Sequence, residues 1–270
     1  MIAMKNSNLW TARLIGLMAL GLIIFGVSSC TSRSSNPQAA PTSAEVIPVV
    51  DLVARADKAY EQRSDLAQLR EAVALLRRAR TADFQNYDVA WRLARADYYL
   101  GAHTKDERER DNAFREGVEM GEAASKLQPL KPDGHFWFGA NMGGRAKASS
   151  LSGLADAEDI RREMQTVIKL DEKYQSGSAY MVLGQVDLEL PRMMGGDPAE
   201  AVKNLEKGLQ FGPDNALLRF HLAEAYLVTG RKDEARKQID TLISMKPNPD
   251  FVPEHNEAVE EARKLLAEKF

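Results

Sequence analysis

The sequence predicts an all-α protein: a solenoid of about five helical hairpins finished by a C-terminal capping helix. Three observations point there. Residues in the C-terminal third recur at a fixed interval, with Ala201, Leu205, Gly208 and Pro213 returning as Ala235, Ile239, Leu242 and Pro247, each pair 34 apart. No stretch shows the sustained alternation of a half-buried strand. Small residues fall where two helices would cross closely, larger apolar groups surround them, and proline stands where a second helix must end. One hairpin cannot bury its apolar face alone, so neighbours stack.

The chain opens with "MIAMKNSNLWTARLIGLMALGLIIFGVSSC", which has two early cations, an apolar run over residues 14–27 and small residues just before a cysteine. This is the pattern of an export signal, and the run is too short for the roughly 20 apolar residues of a membrane-spanning helix. Cys30 is the only cysteine, so no intramolecular disulfide can form. The residues "VSSC" resemble a bacterial lipobox, which implies cleavage before Cys30 and acylation of its sulfur and new amino group. Thr31 follows rather than an aspartate, favouring the periplasmic face of the outer membrane. Removing Lys5 and Arg13 takes the formal charge from -3 to -5, and no basic stripe interleaved with aromatics points to nucleic acid. The following "TSRSSNPQAAPTSA" cannot bury a core and reads as a flexible tether. The organisation expected is a lipoprotein signal peptide over 1–29, an acylated cysteine and tether over 30–47, and a helical-repeat domain over 48–270.

Within that domain "DLVARADKAY" and "LREAVALLRRA" form a first, weaker pair. First-helix positions follow at Arg95 in "AWRLARADYY", Gly139 in "FWFGANM", Gly184 in "YMVLGQV" and Ala223, separated by 44, 45 and 39 residues. In the last repeat Leu222, Ala223, Tyr226, Gly230, Ala235 and Pro247 fall at the positions used by the tetratricopeptide repeat (TPR), which the chain resembles. A closing helix is expected over 254–270, its Lys/Glu-rich face capping the last hairpin.

Gly184 to Ala201 is 17 residues and Ala223 to Ala235 is 12, which puts five extra residues inside one hairpin, at "PRMMGG". Pro191 ends the first helix there, while Gly195 and Gly196 allow positive φ. Asp197 can cap the next helix, Pro198 suits its first turn, and Glu200 stands three after the cap as in a capping box. A phosphate cradle is not indicated, since the lysine and spacing of a P-loop are missing here and in "NMGGRAK". Further insertions fall within "GAHTKDERERD" and "RAKASSLSG", so three enlarged turns should share one rim. Drift in permissive loops explains them equally with contact to a partner, the membrane or another subunit; Arg192, Met193 and Met194 are the candidate partner-contact residues.

No catalytic constellation assembles. His103, His135, His221 and His255 form no local metal spacing, there is no second thiolate, and no G-x-S-x-G elbow occurs. The sequence therefore reads as a non-enzyme without cofactor or metal. Binding is better supported. In the TPR geometry, positions three before and four after the small first-helix residue face the groove, and here they include Phe136, Met181, Leu188, Phe220 and Leu227. The groove thus reads as apolar, either as core filled by the closing helix or as a cleft for a hydrophobic ligand.

The lipobox, "WRLARADYY", "GHFWFGANMGGRAK", "LPRMMGGDPAEAV" and the clean final repeat together resemble the T-component lipoproteins associated with TRAP-type transporters, sometimes called TatT, over residues 50–250. The resemblance implies a periplasmic, membrane-tethered protein pairing with a solute-binding protein. Cys30 would be its anchor, and the groove positions would line a cleft or pore for hydrophobic ligands. A scaffold lipoprotein for envelope or secretion-complex assembly, taking peptides in the groove, is the alternative. Homo-oligomers through the rim stay open.

Overall fold

The computed structural model describes residues 47–148 and 156–270. The expected signal peptide, Cys30, most of the tether and most of "RAKASSLSG" lie outside the described residues. Eleven α-helices are present among the described residues. The first two hairpins are α1 (Val49–Glu61) with α2 (Leu66–Ala82), and α3 (Tyr87–His103) with α4 (Glu107–Leu127). Next come α5 (Pro132–Ala148) with α6 (Ala157–Leu170), and α7 (Ser178–Glu189) with α8 (Pro198–Phe211). The last hairpin, α9 (Ala216–Val228) with α10 (Lys232–Ser244), is followed by α11 (Val252–Lys269). Five hairpins and a closing helix therefore form the all-α solenoid that the periodicity predicts. None of the described helices is long and apolar enough to cross a membrane.

Helix starts follow local chemistry. Asp65, Asn86, Asp106, Asp197 and Asn215 each accept a hydrogen bond from a backbone N–H in the turn they open, satisfying donors that have no partner in the helix. Each helix packs on the next in sequence, and the first helices α3, α5, α7 and α9 also touch one another along the concave side. The crossings are as close as their small residues allow. A Cβ on Gly184 would stand 2.6 Å from Leu205, and one on Gly139 2.5 Å from Met164.

In the second hairpin the fully buried small residue nearest the expected position is Ala94, one before the Arg95 that the spacing suggests. Arg95 instead lies over the Tyr60 ring, 3.8 Å from its centroid. The repeat separations are thus 45, 45 and 39.

The enlarged-turn expectation is corrected in that same hairpin. Only residues 104–106 separate α3 from α4, and "KDERERD" lies mostly inside α4, a helix of 21 residues. Glu and Arg are strong helix formers, so with Asp106 as cap the insertion lengthens helices rather than a loop. At "PRMMGG" a loop does form: a 3-10 turn over Arg192–Met194, then Gly195 at φ +88. Gly196 needs smallness rather than positive φ, because a Cβ there would sit 1.8 Å from the Leu190 carbonyl oxygen. Gly143 and Gly144 lie within α5 rather than at its end, and Gly144 packs on Phe114.

Helices α4 and α5 make an especially close crossing. A Cβ on Gly121 would meet the Phe138 backbone, 2.5 Å from Cα and 2.6 Å from N, whereas one on Gly143 would meet nothing within 4 Å. Gly121→Ala should therefore destabilise by about 1–3 kcal/mol through forced backbone movement. Gly143→Ala should stabilise by up to about 1 kcal/mol through helix propensity. Thermal melts of the two variants check this, and a Gly121→Ala melt at or above wild type would contradict the crossing.

Candidate functional site

The concave side is not an open groove. The chain leaves α10, makes a 3-10 turn at Pro249–Phe251, and enters α11 across the groove, where it meets the first hairpin. Arg63, in the turn between α1 and α2, donates from Nε and Nη2 to both carboxylate oxygens of Glu254 at 2.8 Å. A further bond runs from its Nη2 to the Asp250 carbonyl oxygen at 2.7 Å. Both side chains of the ion pair are 8% exposed. The Tyr99 hydroxyl also donates to Glu254. Tyr60 and Tyr99 meet edge to face at 5.4 Å, and the guanidinium lies over both rings at 5.1 and 5.5 Å. Burial and the Glu254 carboxylate push the Tyr99 hydroxyl well above its ordinary pKa, so it remains a donor at any physiological pH.

This crossing divides the groove. On the side of the first helices' C-terminal ends lies a chamber of about 760 Å3. On the other side is a cleft of about 80 Å3, floored by Phe136 and Trp137. Tyr98, Tyr99, Met181, Leu217 and Glu254 line both.

Of the five groove residues expected from sequence, Met181, Leu188 and Phe220 line the chamber, and Met181 and Phe136 line the cleft. Leu227 lines neither and packs into the core formed with α11. The chamber carries charge beside these apolar residues. Its other walls carry Glu189, Glu224, Glu257 and Glu261 with His103, His221, Arg110 and Lys147. They come from the ends of α3, α5 and α7, from α4, from α11 and, as His221 and Glu224, from within α9, so the two groove positions of each first helix do not sample them. Arg192, Met193 and Met194 are all exposed, Met193 at 88%. Their turn is braced by Arg161 on α6, whose Nη2 donates to the Gly195 carbonyl oxygen at 2.9 Å and to Asp187 at 2.7 Å.

The histidines are distributed among local pairs. His103 faces the Tyr99 carbonyl oxygen at 2.8 Å and Glu257 at 3.5 Å, and His135 faces Glu163 at 2.7 Å and the Pro129 carbonyl oxygen at 3.1 Å. With acceptors at both ring nitrogens, the imidazolium is favoured, and the carboxylates raise both pKa values. His221 Nδ1 lies 2.7 Å from Glu224, and the Gln185 amide reaches its Nε2 at 2.8 Å. Among the described residues no group of three or more His, Cys, Asp or Glu side chains could hold a metal ion.

One polar position recurs in three of the four hairpins from α3 onward. Three residues after the small first-helix residue, Asp97, Asp187 and Tyr226 each face the second helix of the preceding hairpin. Asp187 takes Arg161 and Asn204, and Tyr226 donates to Glu206. At Asp97 the arrangement is incomplete: Arg77 binds Glu116 on α4 instead, leaving its Nη2 3.9 Å from a fully buried carboxylate without a hydrogen-bonding partner among the described residues. Burial, reinforced by Glu116, drives the Asp97 carboxyl well above the usual carboxylate range.

A family profile described as "Regulator of microtubule dynamics protein 1-3" matches residues 52–190, just over half of the chain. The chain belongs to that family. A tetratricopeptide-repeat profile matches residues 193–252. No curated protein matches the chain. Among solved structures, TTC0263, a thermophilic TPR protein in Thermus thermophilus, is 18% identical, with 82% of this chain and all of that chain covered, at a TM-score of 0.61. MamA is 17% identical, covering 82% of this chain and 96% of its own, at a TM-score of 0.46. YrrB, a TPR protein with an unusual peptide-binding site, is 15% identical, with 80% and 92% covered and a TM-score of 0.43. The TPR fold is therefore shown, whereas the family matched over the first hairpins is one the sequence pattern did not suggest.

Arg63→Met leaves Glu254 buried without its cation and should cost about 3–5 kcal/mol, with faster amide exchange over 252–269. The pair Arg63→Met with Glu254→Leu should recover much of that loss. Equal exchange in wild type and Arg63→Met would show that the ion pair does not hold α11. For Asp97 the folded pKa is raised, so its contribution is fully present below the unfolded value of about 3.9 and is lost as pH rises through the folded value. Asp97→Asn should consequently melt higher than wild type at pH 7, with a gain that shrinks toward pH 4. A constant difference across that range would exclude titration of Asp97 as its source.

Proposed function

We propose that this protein is an exported TPR adaptor, held at the periplasmic face of the bacterial outer membrane by acylated Cys30, that docks a partner protein on its α7–α8 rim. The observation carrying this reading is the Met193–Met194 pair. Two large apolar side chains, 88% and 46% exposed, stand on a turn that Arg161 and Gly196 hold in shape. Exposed methionines on a fixed support suit a protein interface, because the unbranched thioether adapts to varied apolar surfaces. The N-terminal "VSSC" pattern supports a location in the envelope.

The partner that the resemblance to T-component lipoproteins implies is a TRAP-type solute-binding protein. A peptide-binding scaffold for envelope or secretion-complex assembly is less well supported, since Phe251, Glu254 and His255 interrupt the groove that an extended peptide would occupy.

In-cell crosslinking of the full chain tagged after Phe270, followed by mass spectrometry, tests the partner. Recovery of an extracytoplasmic solute-binding protein, reduced at least about tenfold by Met193→Asp with Met194→Asp, is the expected result. Capture of only assembly or secretion machinery would remove the transport reading. Cys30→Ala should lose both membrane association and the acyl mass increment.

A further inference from the structure

The two ends of the solenoid carry different side chains. Turns inside hairpins, with Met193 and Met194 among them, lie at one end; turns between hairpins, and the start of α1, lie at the other. Apart from Met193, the most exposed large apolar side chains among the described residues are Leu130, Val50 and Phe84, at 83%, 71% and 68%. All three stand at the second end. Phe84 is in the α2–α3 turn, Leu130 in the α4–α5 turn, and Val50 is the second residue of α1.

This end is a fixed platform. The Tyr87 hydroxyl donates to Asp133 at 2.8 Å and the Tyr174 hydroxyl to the same carboxylate at 2.9 Å, which joins the turns before α3, α5 and α7. The Lys131 ammonium lies 4.7 Å over the Tyr87 ring. Asn215 donates to the Ser176 carbonyl oxygen and Asn248 to Asp214, carrying the ladder on to the turns before α9 and α11. Phe84 and Leu130 each stand three residues before a member of the Tyr87–Asp133 bond, in turns closed by their own backbone bonds. There the Asn86 N–H donates to the Asp83 carbonyl oxygen at 3.3 Å, and the Lys131 N–H to that of Gln128 at 3.0 Å. Contact through these side chains requires no loop to be ordered first.

The anchor reaches the domain at this end. Sixteen residues, 31–46, separate Cys30 from Ile47, and a flexible chain of that length spans about 20–24 Å on average. Helices α3 and α5, of 17 residues each, are about 26 Å long. An acyl group on Cys30 therefore keeps the α1 end within easy reach of the bilayer, whereas bringing the opposite end there would use up the whole tether. The exposed charges beside Phe84 and Leu130, Asp83 and Lys131, are of opposite sign, so this is an apolar surface and not a basic patch for anionic headgroups.

We propose that the end bearing Val50, Phe84 and Leu130 rests on the lipid surface with these side chains inserted at the headgroup boundary, so that the Met193–Met194 rim faces away from the membrane. The proposal rests on the lipoprotein reading above. So small an apolar area binds lipid weakly alone. The anchor makes the contact intramolecular and raises its effective concentration, so the contact orients the domain rather than retaining it.

In the lipidated protein the sulfur of its only cysteine is acylated, so Phe84→Cys, Leu130→Cys or Met193→Cys introduces one free thiol for a nitroxide label. On vesicles of phosphatidylethanolamine with phosphatidylglycerol, labels at 84 and 130 should be relaxed more by oxygen, which concentrates in lipid, than by a water-soluble nickel chelate. The label at 193 should show the reverse. Adding Phe84→Ser should reduce the lipid-contacting fraction of the 130 label at least about threefold, through the lost apolar burial of one aromatic ring. Raising the salt concentration should leave the contact unchanged, and its loss in salt would overturn apolar insertion. Acylated, vesicle-bound protein with all three labels in water would overturn the orientation and leave the lipoprotein reading standing. Absence of both the acyl mass and vesicle binding would overturn both. Labels at 84 and 130 shielded from both relaxants, with spin–spin broadening between copies, would assign the patch to a second chain and overturn the lipid contact.

Discussion

The arrangement of the concave side depends on one buried ion pair, Arg63 with Glu254. A solenoid of hairpins is held by contacts between neighbours, and nothing in such contacts obliges its last helix to meet its first turn. Here a guanidinium stacked on Tyr60 and Tyr99 gives the start of α11 a fixed destination. Burying two charges gains little net energy, but leaving one of them unpaired is costly, so the pair specifies a position more than it adds stability. With α11 drawn across, the groove becomes a chamber and a cleft instead of a continuous channel.

The stack beneath is governed by approach distance. Gly121, Gly139 and Gly184 stand where a methyl group would enter a backbone or a core side chain of the facing helix. Each hairpin therefore sits on the next at a separation fixed by its smallest residues, and polar groups at the crossings must find partners across it. Asp187 does so fully, through Arg161 and Asn204. Asp97, at the equivalent place, does not, because Glu116 on the lengthened α4 competes for Arg77. The same insertion that extends α3 and α4 leaves a buried acid in the second hairpin.

Rim and chamber are two consequences of this frame. Arg161 ties the rim to the stack, since it satisfies Asp187 inside and braces the Gly195 turn outside. The exposed methionines are thus set by a core contact, while the charge of the chamber comes from several helices, α9 and α11 among them. The family profile covers the helices from α1 to α7, and the repeat profile covers α8 to α10. Both halves carry one architecture, although only the last keeps the 34-residue period.

The sequence by itself determined the helical class, the five hairpins, the closing helix and the capped start of α8 at Asp197. Those features are written in neighbouring residues: a 34-residue interval, small residues at crossings, and an Asp one step before a helix. It also located the braced turn, because Gly-Gly-Asp-Pro is a local signal. Only the tertiary structure decided that Ala94 rather than Arg95 sits at the crossing and that Leu227 faces α11. It alone brought Arg63 to Glu254 across 191 residues and gathered Glu224, Glu257, His103 and His221 around one space. No periodicity announces such meetings, because they depend on how far the stack turns before its ends come together.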